Sequence, residues 1–239
     1  MIIRVVDFET SGPESDPEML EIGWADVDEN GIVGWPRHYL LQHEREIDAE
    51  TMAIHHLQER HFNNAVPRTA ALAALADFTP GHDLLGSTPK IYAAHGAKFE
   101  CACWPESDGQ WICTYKCAIR IWPLAPRHSN QVLRYYLKLD LADNLAMPPH
   151  RAGPDAYVTA HILARLLENA SVADLLAWSS QPALLPRCMI GKFRGQPWES
   201  VDDGFLRWIL SKEFDEDTAF TASYHLDKRE QEYRESCFE

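Results

Sequence analysis

Near the start of the chain, Val5-Val6-Asp7-Phe8-Glu9-Thr10-Ser11-Gly12 sets two carboxylates two residues apart at the end of an apolar run. Alternate side chains on a strand share a face, so Asp7 and Glu9 project together, close enough to share a divalent cation. Two anions held side by side away from water repel, and a cation between them removes that repulsion. A lone acid pair at a strand end is more often just a polar turn, here Thr10-Ser11-Gly12, so metal chemistry requires further acids elsewhere.

Such acids occur twice more. His150-Arg151-Ala152-Gly153-Pro154-Asp155 has the form H-x-A-x-x-D and opens into a segment, Ala156 to Glu168, with apolar residues at helical spacing. Pro154 and Asp155 mark the helix start. A loop histidine five residues before a first-turn aspartate can bring an imidazole beside a metal-bound water while the carboxylate holds the metal, although a helix-capping Asp and a surface His are the commoner reading of this segment alone. Between the two acidic segments, the apolar strand candidate Lys90 to Ala94 leads into His95-Gly96-Ala97-Lys98-Phe99-Glu100, with a carboxylate at the beginning of a helix.

In this order the three segments resemble the DEDDh 3′-to-5′ exonucleases, and within them the exodeoxyribonuclease X group. Met52-Ala53-Ile54-His55, Gly109 to Thr114, Trp122-Pro123, Ser129-Asn130 and Gly191-Lys192-Phe193-Arg194-Gly195 extend the resemblance over nearly the whole chain. It implies a ribonuclease H-like fold, two magnesium ions that manganese can replace, and hydrolysis of DNA from its 3′ end to 5′-mononucleotides. On the resemblance, Asp7, Glu9, Glu100 and Asp155 hold the metals and His150 is the general base. Thr10, Ser11, Gly12, His55, His95, Lys98, Phe99, Arg127, Ser129, Asn130, Lys192 and Arg194 are candidate contacts to nucleic acid.

One departure bears on activity. The second segment of the family usually reads H-N-x-x-F-D, whereas this chain has Gly96 and Glu100 at the second and last positions. The extra methylene adds roughly 1.5 Å of reach, and magnesium tolerates little deviation from oxygen distances of about 2.0–2.1 Å. Lowered activity, or a shift toward manganese, is therefore expected. Other readings stay open: an RNA exonuclease of the oligoribonuclease type, a catalytically impaired DNA-end-binding or adaptor protein, and a proofreading subunit of a polymerase.

The formal net charge of −14 over 239 residues is unusual for a chain that grips phosphates, because such binding draws on Lys and Arg. The distribution is uneven. Gly109 to Leu139 contains no acid but carries Lys116, Arg120, Arg127, Arg134 and Lys138, while residues 202 to 239 hold eleven acids against five bases. A basic stretch beside an acidic cleft suits brief contact with DNA 3′ ends, single-stranded or duplex, hence salt-sensitive and distributive action. Among the six cysteines, Cys101, Cys103, Cys113 and Cys117 lack the paired spacing of structural zinc sites and read as reduced, mostly buried thiols. The run from Met1 into Ile2-Ile3 has no secretory-signal pattern and no apolar stretch spans a membrane, so a cytoplasmic protein with no membrane role is expected.

The elements that must position these residues follow from periodicity and turn chemistry. Residues 1–8, 19–27 and 32–42 read as antiparallel strands, the last two joined at Glu29-Asn30-Gly31. Helices over 49–60 and 67–78, a strand at 90–94, a short helix at Glu100, a strand at 111–114, and helices over 115–138 and 155–169 complete an α/β fold. The sheet is expected to be mixed and five-stranded, flanked by helices, with the acids at one edge. The expected organisation is an exonuclease domain over 1–170, a linker over 171–185, and a small C-terminal domain over 186–239 that docks on the main domain or on a protein partner. The polar loop Pro13 to Pro17 is either a wedge against the terminal base pair or an idle turn.

Overall fold

A computed structural model describes residues 1–12, 17–78 and 90–236; most of the loop after Gly12 and Cys237 lie outside that range. The chain runs β1 Ile3–Thr10, β2 Met19–Asp28, β3 Gly31–Leu40, α1 Ala49–His55, α2 Arg68–Ala76, β4 Ile91–Ala94, α3 Lys98–Cys103 and β5 Gln110–Cys113. It continues through α4 Thr114–Ile121, α5 Asn130–Tyr136, α6 Asp143–Ala146, α7 Ala152–Leu167 and α8 Val172–Ser179. The last elements are β6 Arg187–Cys188, β7 Gln196–Pro197, α9 Asp203–Leu210 and α10 Glu216–Ser236.

Five strands form one mixed sheet in the order β3-β2-β1-β4-β5, antiparallel from β3 to β1 and parallel from β1 to β5. The β2–β3 hairpin turns at Gly31, whose φ of 118° is open to glycine and strained for other residues. Strand alternation divides the core in two. Ile3 and Val5 of β1, Ala25 and Val27 of β2, and Ala93 of β4 face α7, where Val158, Ile162 and Leu163 cover them. Val6, Phe8, Ile22, Trp24 and Tyr92 point the other way, toward Ala71 and Leu75 of α2.

Several boundaries differ from the expectations. The helix expected over 49–60 stops at His55, where His56 turns left-handed at φ 61°, and a short 3₁₀ turn follows over Glu59–Asn64. The helix expected over 115–138 is two helices, because Pro123 lacks the N–H needed to continue α4 past Trp122. α7 begins at Ala152, three residues before Asp155.

Residues 172–179, expected within a linker, form α8, which packs Leu175, Leu176 and Trp178 onto the main core. Its start carries a capping box in which Ser171 and Asp174 bond each other's backbone N–H, a signal legible as S-x-x-D. Beyond it, Cys188, Trp198, Val201, Leu206, Ile209, Ala222 and Leu226 make a separate small core. α10 had no counterpart in the periodicity because its buried face includes Thr218, Thr221 and His225, which do not register as apolar. Among the described residues no helix is long and apolar enough to cross a membrane.

Candidate metal and catalytic centre

The row of β1 side chains facing α7 is apolar at Ile3 and Val5 and becomes acidic at Asp7 and Glu9. β2 runs antiparallel beside it, with Gly23 opposite Asp7 and Glu21 opposite Glu9. The start of α7 rests on these two β2 positions. A Cβ on Gly23 would lie 2.1 Å from the Ala152 carbonyl carbon and 2.4 Å from the Gly153 nitrogen, so only glycine lets the helix approach. Asp155, in the first turn of α7, is thereby lowered over the two β1 acids, and ligand oxygens of Asp7, Glu9 and Asp155 all lie within 4.8 Å of one another.

Asp155 is aimed by bonds to both of its oxygens. Oδ2 accepts the His150 backbone N–H at 2.7 Å and Oδ1 accepts from Gln131 Nε2 at 3.2 Å. His150 itself is solvent-exposed, with a left-handed backbone at φ 58°. The fourth acid, Glu100, is buried in the first turn of α3 and stands outside the tight trio. Its Oε2 has no hydrogen-bond partner.

These acids destabilise one another as free anions. Burial, then repulsion from Asp155, Glu9, Glu100 and Glu21, holds the Asp7 carboxyl well above the usual range. Burial and the Asp155 charge push Glu9 up to about 8, and burial pushes Glu100 up to about 8. Burial also raises Asp155, against the bonds from His150 and Gln131. A cluster of hard oxygen donors that repel, with an unpartnered buried carboxylate oxygen on Glu100, fits divalent cations.

Glu21 behaves oppositely. Although fully buried, which by itself raises a carboxyl, it is held down at about 2 by bonds from His38 and Arg151 and by the Ala152 backbone N–H. Arg151 donates Nε and Nη2 to it, each at 2.8 Å, and also draws Glu9 downward. Gln131, Glu21, Gly23 and Arg151 escaped the motif reading. The signal for two of them was present as Glu21-Ile22-Gly23, an acid and a glycine on one face of the strand after the first acidic segment.

The candidate nucleic-acid contacts separate into two groups. Lys98, Phe99, Arg127, Ser129, Lys192 and Arg194 are exposed. The rest are buried or half-buried. Ser11 is buried, its Oγ accepting the Glu18 N–H, with Thr10 and Gly12 buried beside it. His55 is buried, its Nδ1 accepting the Leu57 N–H, and burial lowers its pKa. His95 donates Nε2–H to the His128 carbonyl at 2.7 Å, its Nδ1 lies 3.0 Å from the Thr114 hydroxyl, and burial lowers it to about 4, so it is a neutral brace.

Asn130 ties α5 to α7 through the Asp155 carbonyl and the Thr159 hydroxyl. Lys192, although exposed, also pairs with Asp202 at 3.0 Å on the surface. The basic stretch is likewise partly structural. Lys116 caps the Ser179 and Gln181 carbonyls, Arg120 bonds Gln181, and Arg134 is buried against Asp143. Scattered cations on helices had read as a phosphate track because sequence does not show which of them meet carbonyls in the fold.

Comparison with known proteins follows the same lines. No family model matches the chain. Exodeoxyribonuclease 10 of Escherichia coli K12 is 32% identical over 218 residues, covering 88% of this chain and 91% of that protein, and the protein of the same name from Escherichia coli O6:H1 matches equally. A solved structure of exonuclease X with 5′-overhanging duplex DNA superposes with a TM-score of 0.62 at 28% identity, covering 74% of this chain and 99% of that one. The nuclease domain of 3′hExo, a DEDDh family member bound to rAMP, shares the fold with a TM-score of 0.54 at 17% identity over 71% of this chain and 92% of that one. Sheet order and neighbours together define the ribonuclease H-like fold of the DEDDh 3′-to-5′ exonucleases. More narrowly, the chain belongs to the exodeoxyribonuclease X family.

Proposed function

We propose that this exonuclease hydrolyses DNA from the 3′ end with two magnesium ions, which manganese can replace, and releases 5′-mononucleotides distributively. The observation that carries this reading is the convergence of Asp7, Glu9 and Asp155 within 4.8 Å at one end of the sheet, with His150 tied to Asp155. DNA as substrate is supported by the names of the relatives, an exodeoxyribonuclease and an exonuclease X seen with duplex DNA.

Bound magnesium would stabilise charge on the phosphoryl oxygens and activate the attacking water. Asp7, Glu9 and Asp155, with the buried Glu100 near them, would hold the ions. His150, exposed at the mouth of the site, would accept the proton of the attacking water at its imidazole. The left-handed turn at His150 points its N–H at Asp155, so base and ligand are positioned by one short loop. Exposed Lys98, Phe99, Arg127, Ser129 and Arg194 would meet the strand, and the C-terminal unit with its own core would carry a protein or DNA contact. The five described cysteines are free and three are buried, in keeping with a reducing, cytoplasmic setting.

The test is a gel time course on 3′-labelled and 5′-labelled DNA with magnesium, manganese or chelator, beside matched RNA. The expected result is stepwise shortening from the 3′ end that chelator or Asp7→Ala abolishes. A clear preference for RNA would replace the DNA reading with the oligoribonuclease-type one. Binding of ends without cleavage in either metal would replace it with an adaptor that keeps the fold.

A further inference from the structure

The H-x-A-x-x-D loop carries two functional side chains, and bonds from His150, Gln131 and Asn130 meet only its Asp155 end. Its Arg151-Ala152 segment is held from β2. Glu21 has no solvent exposure, and its carboxylate takes four donors: Arg151 Nε and Nη2 at 2.8 Å each, the Ala152 backbone N–H at 3.1 Å, and His38 Nδ1 at 2.9 Å. Two of these residues directly follow His150, and Asp155 lies three residues after Ala152. Two residues along the same strand face, Gly23 receives the Ala152–Gly153 backbone at a distance that admits no side chain. Gly153 in turn seats against the His38 ring, 3.3 Å from where a Cβ would stand. The helix start is therefore clamped by charge at Glu21 and by shape at Gly23.

We propose that Glu21 is a positioning residue for the reaction, which through Arg151 and the Ala152 N–H fixes His150 and Asp155 over Asp7 and Glu9. The assignment rests on the exonuclease reading of the site but deepens it, since none of the motif residues accounts for the placement of the loop. A buried ion pair made only for stability is often replaceable by well-packed apolar residues of similar volume. A positioning pair is not, because a displacement of about 1 Å at reacting groups costs about a hundredfold in rate. Arg151 acts on His150 only through Glu21, so removing Arg151 from a chain that already lacks the Glu21 carboxylate should add little.

The experiment compares Glu21→Gln, Arg151→Gln and the double variant, in the full chain, by steady-state kinetics on a DNA oligonucleotide with magnesium and by amide hydrogen exchange. The expected result is a fall in kcat of about a hundredfold in each single variant with KM within about twofold, and a double variant no slower than the worse single one. The His150 amide, bonded to Asp155, should exchange faster in both single variants while amides in the second half of α7 keep their protection. Exchange is read without turnover, so it tests the clamp even if the wild-type chain proves inactive on DNA. If Glu21→Gln does not fold, Arg151→Gln cuts the same tie and leaves Glu21 with its His38 and Ala152 partners. Wild-type kcat in a folded single variant, losses confined to KM, multiplicative losses in the double variant, or an unchanged His150 amide would each overturn the proposal.

Discussion

Replacing Gly23 by alanine tests whether the site is assembled by the seat of α7 on β2. The added Cβ would lie 2.1 Å from the Ala152 carbonyl carbon and 2.2 Å from its oxygen, where ordinary contact begins at 3.4 Å. The obstacle is backbone on both sides, so the first turn of α7 must withdraw by about 1.3 Å. Overpacking of this kind costs about 1–3 kcal/mol of stability. The catalytic loss is expected to be larger in proportion, because Asp155 and the His150 loop move with that turn while Asp7 and Glu9 stay on β1. Magnesium tolerates far smaller errors than this at its oxygens, and about a hundredfold loss in kcat is the expected scale. The assay is urea denaturation paired with single-turnover cleavage of a 3′-labelled oligonucleotide. A Gly23→Ala protein that remains within about 0.5 kcal/mol of wild type and cleaves at the wild-type rate would refute the reasoning, since small surface effects have that size.

Three other predictions address the acids and the reassigned contacts. In chelator, stability should fall as pH rises from about 4.5 through about 8, because Glu9 and Glu100 titrate near 8 when folded and so bind more protons than the unfolded chain in that window. Saturating magnesium should flatten the fall and stabilise by about 2.7 kcal/mol at a hundred times its Kd. Thermal melts at several pH values decide this, and a chelated protein that gains stability over the window contradicts it. Glu100→Gln should slow magnesium-dependent cleavage by at least about a hundredfold, as loss of a charged group at a reacting centre does, whereas Glu100→Asp should change the ratio of manganese to magnesium rates; an unchanged ratio would mean the longer arm has no consequence. Asn130→Ala should lower stability by about 1–2 kcal/mol through its lost bonds to the Asp155 carbonyl and Thr159, with DNA affinity at low salt unaltered. A binding defect in a normally stable variant would return Asn130 to the substrate interface.

Much of this protein is determined locally. Alternation along β1 and the break from Val5 to Asp7 placed two acids on one face, and the Asn30-Gly31 step set the β2–β3 hairpin, because side-chain direction on a strand and turn preference depend on near neighbours alone. The H-x-A-x-x-D spacing put the candidate base His150 and the candidate ligand Asp155 on one loop for the same reason. What required the tertiary structure were facts about partners distant in the chain. Ser11, His55, His95 and Asn130 have the chemistry of substrate contacts, and only the fold shows them buried or half-buried and bonded to Glu18, Leu57, His128 and Thr159, with His55 Nε2 left without a partner. Glu21 and Gly23 looked like ordinary strand residues until α7, some 130 positions later, came to rest on them. A carboxylate's neighbours, and hence whether it is held near 2 like Glu21 or pushed to about 8 like Glu9, exist only after the chain has folded.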